Sequence, residues 1–244
     1  MTPIIQAAVV NHNTSAFCEL MLRSLFAAHP GLPNFSVTIF DNASTDDMSG
    51  LRAFAAQAGV PLLPSGFPLE TANNSHGEVL RSFVLNNPAC DYYLFLDADA
   101  VFTQPGTIPA MLRELEAAPD AFGAGPLMSW DGVHPYEAVD ENPDVYRARL
   151  HPCCALIKNT PLFRSVVEEI GLFCAKFLWA EREEYLDTFK LMTKVMKTHG
   201  LRHIITSQVI IHFFSVSYEW DPEQYRRAKL ARRDELLAQF RSNS

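Results

Sequence analysis

The chain alternates short apolar runs with polar stops, and the spacing of the runs predicts the elements. Ile4 to Val10 is apolar except for Gln6 and stops at Asn11-His12-Asn13. Val37 to Phe40 stops at Asp41-Asn42-Ala43-Ser44-Thr45-Asp46, and Val60 to Leu63 is a third short run. Tyr92 to Leu96 is continuous and aromatic. Runs this short and unbroken predict strands buried on both faces. Between them the apolar period lengthens to that of a helix. Thr14 or Ser15 can cap a helix whose apolar positions include Phe17, Leu20, Met21, Leu25 and Phe26, ended by His29-Pro30-Gly31. Further helices are expected at 47–58 and 77–86, with residues 70–77 a polar loop. Strand, helix, strand, helix, strand predicts a right-handed, mainly parallel α/β arrangement.

The second half is less regular. A helix starting near Pro105 and Pro109 runs to about Ala117, and Phe122 to Trp130 reads as a strand. Trp130 to Leu150 is a long polar stretch with Trp130, His134, Tyr136 and Tyr146, expected to form a lid or an acceptor surface. Cys153 to Ile157 reads as a strand and Pro161 to Ile170 as a helix. Glu181 to His199 reads as one amphipathic helix with Gly200 as its C-cap. His203 to Ile211 holds one or two strands ending at His212-Phe213-Phe214-Ser215. From Pro222 the pattern is helical to the end.

The chemistry concentrates where the aromatic run ends, at Asp97-Ala98-Asp99. Carboxylates at the C-terminal end of a buried parallel strand stand where open α/β sheets take ligands. Two residues apart, they can converge on one hard cation, Mg²⁺ or Mn²⁺, directly or through water. Buried or half-buried carboxylates need such a partner.

Composition narrows the classes. The chain has 244 residues, 48% of them hydrophobic and 20% charged, enough apolar mass for a real core. A net charge of −8 argues against a nucleic-acid binder. The N-terminus shows no basic region or cleavage site, and Ile170 to Ala180 is too short to span a bilayer. A cytoplasmic protein is expected. Five cysteines, none in zinc or redox spacing, suggest buried reduced thiols. The last helix carries Arg226, Arg227, Lys229, Arg232 and Arg233. Peripheral contact with an anionic membrane is one reading of it, a solvated face the other.

Four segments in order now stand together: the opening strand ending in Asn11-His12-Asn13, DNASTD at 41–46, NNSHG at 73–77 and FLDADA at 95–100. This series resembles the family 2 type of glycosyltransferase with the GT-A fold, a Rossmann-like, mixed and mainly parallel sheet flanked by helices. The resemblance implies one GT-A-like domain over 1–244. Residues 1–129 would form its nucleotide-sugar-binding half, 130–218 its acceptor and catalytic half, and 219–244 a C-terminal helix. It also implies transfer of a sugar from a UDP-, GDP- or dTDP-sugar to a saccharide or lipid-linked acceptor hydroxyl, with inversion, in polysaccharide or glycoconjugate synthesis. By the same resemblance Asn11, Asn13, Asp41 and Ser44 contact the nucleotide, with Asn74, Gly77 and Arg81 as further candidates. Asp99 is a metal ligand. Asp97 faces the ribose or sugar, or binds the metal through water. His212 is a third metal or phosphate contact. The base falls in AEREEYLDTF at 180–189, where Glu181, Glu184 and Asp187 would share a helical face. Asp187 is favoured, then Glu184, then Glu183. Trp130 and Tyr136 would stack on an acceptor sugar. The alternatives are a haloacid-dehalogenase-like phosphatase with Asp97 as nucleophile and Asp99 as acid, a nucleotidyltransferase, and a GT-A-like binding domain without catalysis. A phosphatase would carry its motif on the first strand, and a nucleotidyltransferase would show a Gly-rich basic loop after it.

Overall fold

The computed structural model describes residues 2–68, 72–136, 144–173, 175–178, 183–216 and 222–242. In chain order the elements are β1 (Ile5–Asn11), α1 (Ser15–Ala28), β2 (Phe35–Asp41), α2 (Ser49–Ala58), β3 (Leu62–Pro64), α3 (Ala72–Asn86), β4 (Tyr92–Asp97), β5 (Ala100–Phe102), α4 (Thr107–Glu116) and β6 (Ala121–Ser129). A π-helical turn (Asp144–Ala148) follows, then β7 (Cys154–Lys158), α5 (Pro161–Ile170), β8 (Ala175–Leu178), β9 (Glu183–Leu186), α6 (Lys190–Thr198), β10 (Arg202–His212) and α7 (Glu223–Ser242).

Eight strands form one mixed sheet in the order β3-β2-β1-β4-β7-β6-β10-β5, and β8 and β9 pair apart from it. β3, β2, β1 and β4 run parallel. β6 and β10 form a second parallel block. Antiparallel β7 joins the two blocks, and short β5 closes the β10 edge antiparallel. The expected mixed, mainly parallel sheet flanked by helices is therefore present.

Side chains of the central strands alternate between two cores, as a period of two requires. On β4, Leu94 and Leu96 enter the core under α1, α2 and α4, while Tyr93 and Phe95 enter the core under α3, α5 and α6. The second core is aromatic. Phe83, Tyr93, Phe95, Phe163 and Phe189 form a chain of ring contacts at 5.1–6.5 Å. Burying each such ring stabilises the fold by roughly 2–3 kcal/mol, so the strand that ends in Asp97 is a rigid base for the acid. A smaller third cluster joins Phe17 and Leu20 of α1 to Ile211, Phe213 and Leu236 and Leu237 of α7.

Three elements depart from the expected pattern. Residues 72–77 are helical rather than a loop, so α3 starts about five residues early. The stretch lacks apolar periodicity because its buried Ser75 serves a polar contact, accepting from Asn42 Nδ2 at 2.7 Å. The expected helix 181–199 divides into β9 and a shorter α6. Phe189 lies in the left-handed region (φ 68°) with its ring buried, so a helix cannot run through it, and strand pairing with β8 overrides the helix propensity of the preceding glutamates. Glu184 and Asp187 thus do not share a helical face, and Glu181 lies outside the described residues. Third, β5 is an edge strand that three residues could not announce by periodicity. Gly200 does cap α6, at φ 74° with its N–H on Lys197 O. His203–Ile211 is a single bulged strand.

Candidate active site

A cleft of about 300 Å³ opens at the C-terminal ends of β1, β2 and β4. Its walls come from both sequence halves: His12, Asn42, His76, Asp97 and Asp99 from the first, Arg149, His151, Asp187, Thr188 and Phe214 from the second. This is where a mainly parallel sheet presents its strand ends.

Asp97 is the last residue of β4 and Asp99 follows in the turn into β5. His212 ends β10, and it reaches both acids because β10 pairs with β5, with His212 opposite Ala100. His212 Nε2 lies 3.5 Å from Asp97 Oδ2 and 3.3 Å from Asp99 Oδ1. The three offer ligand atoms within 4.8 Å of one another. Asp99 is 7% exposed and His212 3%. Burial pulls the imidazole pKa down, but the Asp99 charge, with that of Asp97 and the hydrogen bonds to both, more than reverses this and lifts it to about 9. Burial acts on Asp97 in the raising sense. The His212 hydrogen bond and charge, with His76 and His151, overcome it and hold the carboxyl at about 2. The protein therefore keeps a proton on His212 between two carboxylates. Two carboxylate oxygens and an imidazole fit Mn²⁺, and also Mg²⁺, and such a cation would take the place of that proton.

An ion pair lines the same cleft. Arg149 Nη1 meets Asp187 Oδ2 at 2.7 Å and also donates to Thr188 O at 2.9 Å. Thr188 N donates to Asp187 Oδ1 at 2.7 Å. Asp187 is therefore oriented through both oxygens while half exposed to the cleft. His76, in the first turns of α3, lies 3.9 Å from Asp97 Oδ1. His151 is partly buried, and desolvation of its ring, followed by the Arg149 and His212 charges, drives its pKa well down, so it is neutral. Phe214 covers His212 with ring centroids 3.9 Å apart.

The structure brings together Asp97, Asp99, His212 and Asp187 from the sequence candidates. It sets others aside. Asn11 is fully buried and spends its amide on Ser15 Oγ, Asp41 Oδ1 and Ser44 Oγ while accepting from Thr14 Oγ1. Asp41 and Ser44 complete that knot, with Ser44 N on Asp41 Oδ2. These three hold the β1 and β2 ends together and do not line the cleft. Asn13 is tied to the 41–46 turn through Ser44 and Thr45. Arg81 is a clear correction. It donates to the carbonyls of Val167 and Glu168 at the end of α5, away from the cleft, as a cation does at a helix C-terminus. Asn74 lies in the first turn of α3 and Glu184 on β9, and both side chains fall outside the described residues. Trp130 and Tyr136 pack edge-on against Phe213 and Phe214 and do not line the cleft. Sequence reading missed His12, Asn42, His76, Arg149 and His151. NNSHG did flag the region of His76. Nothing in the pattern marked Arg149 or His151, whose place depends on β7 running antiparallel beside β4.

No family model and no curated protein matches the sequence. Solved structures do match. One is the mannosyltransferase PcManGT from Pyrobaculum calidifontis in complex with GDP-Man and Mn²⁺, at 17% identity and TM-score 0.61, covering 87% of this chain and 57% of that one. Another is glucosyl-3-phosphoglycerate synthase from Mycobacterium tuberculosis with phosphoglyceric acid, at 16% identity and TM-score 0.55, covering 95% and 80%. The same synthase with Mn²⁺ and UDP-glucose matches at 13% identity and TM-score 0.54, covering 95% and 79%. This chain spans little more than half the length of the mannosyltransferase. Such identities speak for the fold alone: this chain has the GT-A fold, the fold of these nucleotide-sugar glycosyltransferases.

Proposed function

We propose that the chain is a metal-dependent glycosyltransferase moving a sugar from a nucleotide-diphosphate sugar to an acceptor hydroxyl. The observation behind this reading is the convergence of Asp97, Asp99 and His212 at a cleft that the Arg149–Asp187 pair also lines. The structural neighbours are glycosyltransferases, some in complexes with Mn²⁺ or Mg²⁺. Asp97, Asp99 and His212 would hold a divalent cation. Bound there, it supplies charge neutralisation for the departing nucleoside diphosphate.

The chain's own groups do the rest. Arg149 adds a positive charge to the cleft, suited to the anionic donor diphosphate. His12 and Asn42 are the polar cleft residues at the β1 and β2 ends, suited to the nucleotide side, while the buried knot of Asn11, Asp41 and Ser44 fixes their backbones. His12 Nδ1 is already anchored on Asn42 O at 2.7 Å. Asp187 takes the proton of the acceptor hydroxyl. It is held by Arg149 and Thr188, so its orientation costs little reorganisation in the transition state. A base acting on the face of the sugar away from the departing diphosphate leads to inversion of the anomeric centre. The phosphatase alternative is not favoured, because the aspartate pair sits on the fourth strand in chain order and is tied to a histidine rather than exposed as a nucleophile.

The test is turnover. The protein is incubated with Mn²⁺ and UDP-glucose, GDP-mannose or dTDP-glucose, and release of nucleoside diphosphate is followed with and without simple sugar and polyol acceptors. Release from one donor, dependent on Mn²⁺ and absent in Asp99→Ala, supports the reading. Hydrolysis of a generic phosphate ester without any donor turnover overturns it.

A further inference from the structure

The triad of Asp97, Asp99 and His212 uses one nitrogen of its histidine. His212 Nε2 faces the two acids. Its Nδ1 is buried, and among the described residues it has no hydrogen-bond partner. Most buried polar atoms are paired, and an imidazole nitrogen left over points to a ligand.

Two further donors stand beside it. The His151 ring meets the His212 ring edge-on, with centroids 5.1 Å apart. Cys153 is 1% exposed and its thiol is free. His151, Cys153 and His212 offer ligand atoms that all lie within 4.8 Å of one another. Zn²⁺ holds nitrogen at about 2.0 Å and sulfur at about 2.3 Å, so its donors stand roughly 3.5 Å apart. The three therefore need to draw together by no more than about 1.5 Å.

The fold, not the spacing, assembles this set. A histidine and a cysteine two apart, with a second histidine far downstream, form no zinc signature. β7 runs antiparallel to β4, and Asp97 N donates to Cys153 O at 3.2 Å, which pins residue 153 at the end of β4. Cys153 N donates in turn to His151 Nδ1 at 3.2 Å, holding that ring in the turn before β7. His212 arrives from the end of β10. The neighbouring Cys154 points its thiol at Met111 Sδ, 3.9 Å away, and takes no part. His151 and Pro152 line the main cleft, so a cation can enter there.

Donor chemistry separates the two sets. Two carboxylates and an imidazole suit Mn²⁺ or Mg²⁺, whereas two imidazoles and a thiolate suit Zn²⁺. The sets share His212, and a neutral imidazole has one unprotonated nitrogen, so it serves one cation at a time.

We propose that His151, Cys153 and His212 form a second metal site, for Zn²⁺ or another thiophilic cation, and that filling it withdraws His212 from Asp97 and Asp99. Binding breaks the Cys153 S–H bond as the metal–sulfur bond forms, and that proton leaves to water with the extra one on His212. The opposition between the two cations rests on the metal role given to Asp97, Asp99 and His212 in the proposed function; the sulfur site does not.

Titration with Cd²⁺ tests the site, read as the ultraviolet charge-transfer band of a metal–thiolate bond. The band should rise in wild type, in Cys154→Ala and in Asp99→Asn. Cys153→Ala should lose it, and His151→Gln should need at least roughly tenfold more Cd²⁺, with circular dichroism reporting the fold of both. No band in wild type, or a band unchanged in Cys153→Ala or His151→Gln, overturns the site. Electron paramagnetic resonance follows Mn²⁺ binding separately. Excess Mn²⁺ should raise the Cd²⁺ needed for the band in wild type and leave it unchanged in Asp99→Asn. Bound Mn²⁺ that does not move the wild-type titration, or that moves both alike, overturns the sharing of His212. A band without any Mn²⁺ binding would keep the sulfur site and sink the metal reading of Asp97, Asp99 and His212 alone.

Discussion

Replacing Asp99 by Asn separates the structural role of the triad from its role toward a cation. In the metal-free protein, protonated His212 lies 3.3 Å from Asp99 and 3.5 Å from Asp97, an attraction of about 5 kcal/mol for each at an effective dielectric of 20. The ligand oxygens of the two aspartates are at most 4.8 Å apart, a repulsion of at least about 3 kcal/mol on the same scale. Removing the Asp99 charge loses the first and relieves the second. The net cost without metal is at most about 2 kcal/mol, or roughly 4–8 °C in melting midpoint for a chain of this size. With Mn²⁺ at about a hundred times its Kd, wild type gains about 3 kcal/mol, or roughly 6–12 °C. Asp99→Asn should lose most of that gain, since one of three ligands is gone. The assay is thermal unfolding followed by circular dichroism, in EDTA and in Mn²⁺. An equal Mn²⁺-induced rise in wild type and variant would refute the reasoning, as would a collapse of the variant in EDTA.

Asp187→Asn should keep donor binding and reduce transfer by roughly a hundredfold to ten-thousandfold, seen as a fall in kcat with little change in donor KM; near-normal turnover would move the base elsewhere. Gly77→Ala puts a Cβ 2.2 Å from Phe173 Cα, so α3 must shift; a loss of roughly 1–3 kcal/mol in urea unfolding and weaker donor binding are expected, because His76 moves with the helix. Glu19 is a buried carboxylate between Arg23 and Arg241, and although burial opposes it, the two arginines lower its pKa. A carboxyl with a depressed folded pKa contributes stability above its unfolded value of 4.5, and loses it as pH falls through the folded value. Glu19→Gln should therefore cost roughly 3 kcal/mol at pH 7 and show a flatter acid limb in denaturation; parallel acid limbs for wild type and variant would contradict the pairing.

What could be read in the sequence follows from how local the signal is. β1, β2 and β4 are short apolar runs ending in polar stops, and Asp97 and Asp99 stand two apart at such an end, so their place was visible. His212 was visible only as the end of a later strand, and its meeting with the acids depends on β5 pairing with β10. Asn11 and Asp41 were legible as strand-end polar groups, but a residue that caps a turn and one that touches a ligand have the same side chain. Only the buried contacts of Asn11 tell them apart. Arg81 has the charge a phosphate needs and the position of a helix anchor, and the carbonyls of α5 took it. The helix expected at 181–199 failed because glutamate-rich stretches favour helix locally, while β8 offered a partner strand from nearby in sequence. Arg149 and His151 stand before β7, whose antiparallel insertion between parallel blocks no periodicity encodes.

The most direct measurement is calorimetric titration of UDP, GDP and dTDP into the protein, each in Mn²⁺ and in EDTA. Binding of one nucleotide that requires Mn²⁺ and disappears in Asp99→Ala is the result expected of a nucleotide-sugar transferase with its metal at Asp97, Asp99 and His212. Equal binding in Mn²⁺ and EDTA, or none with any of the three, would contradict it.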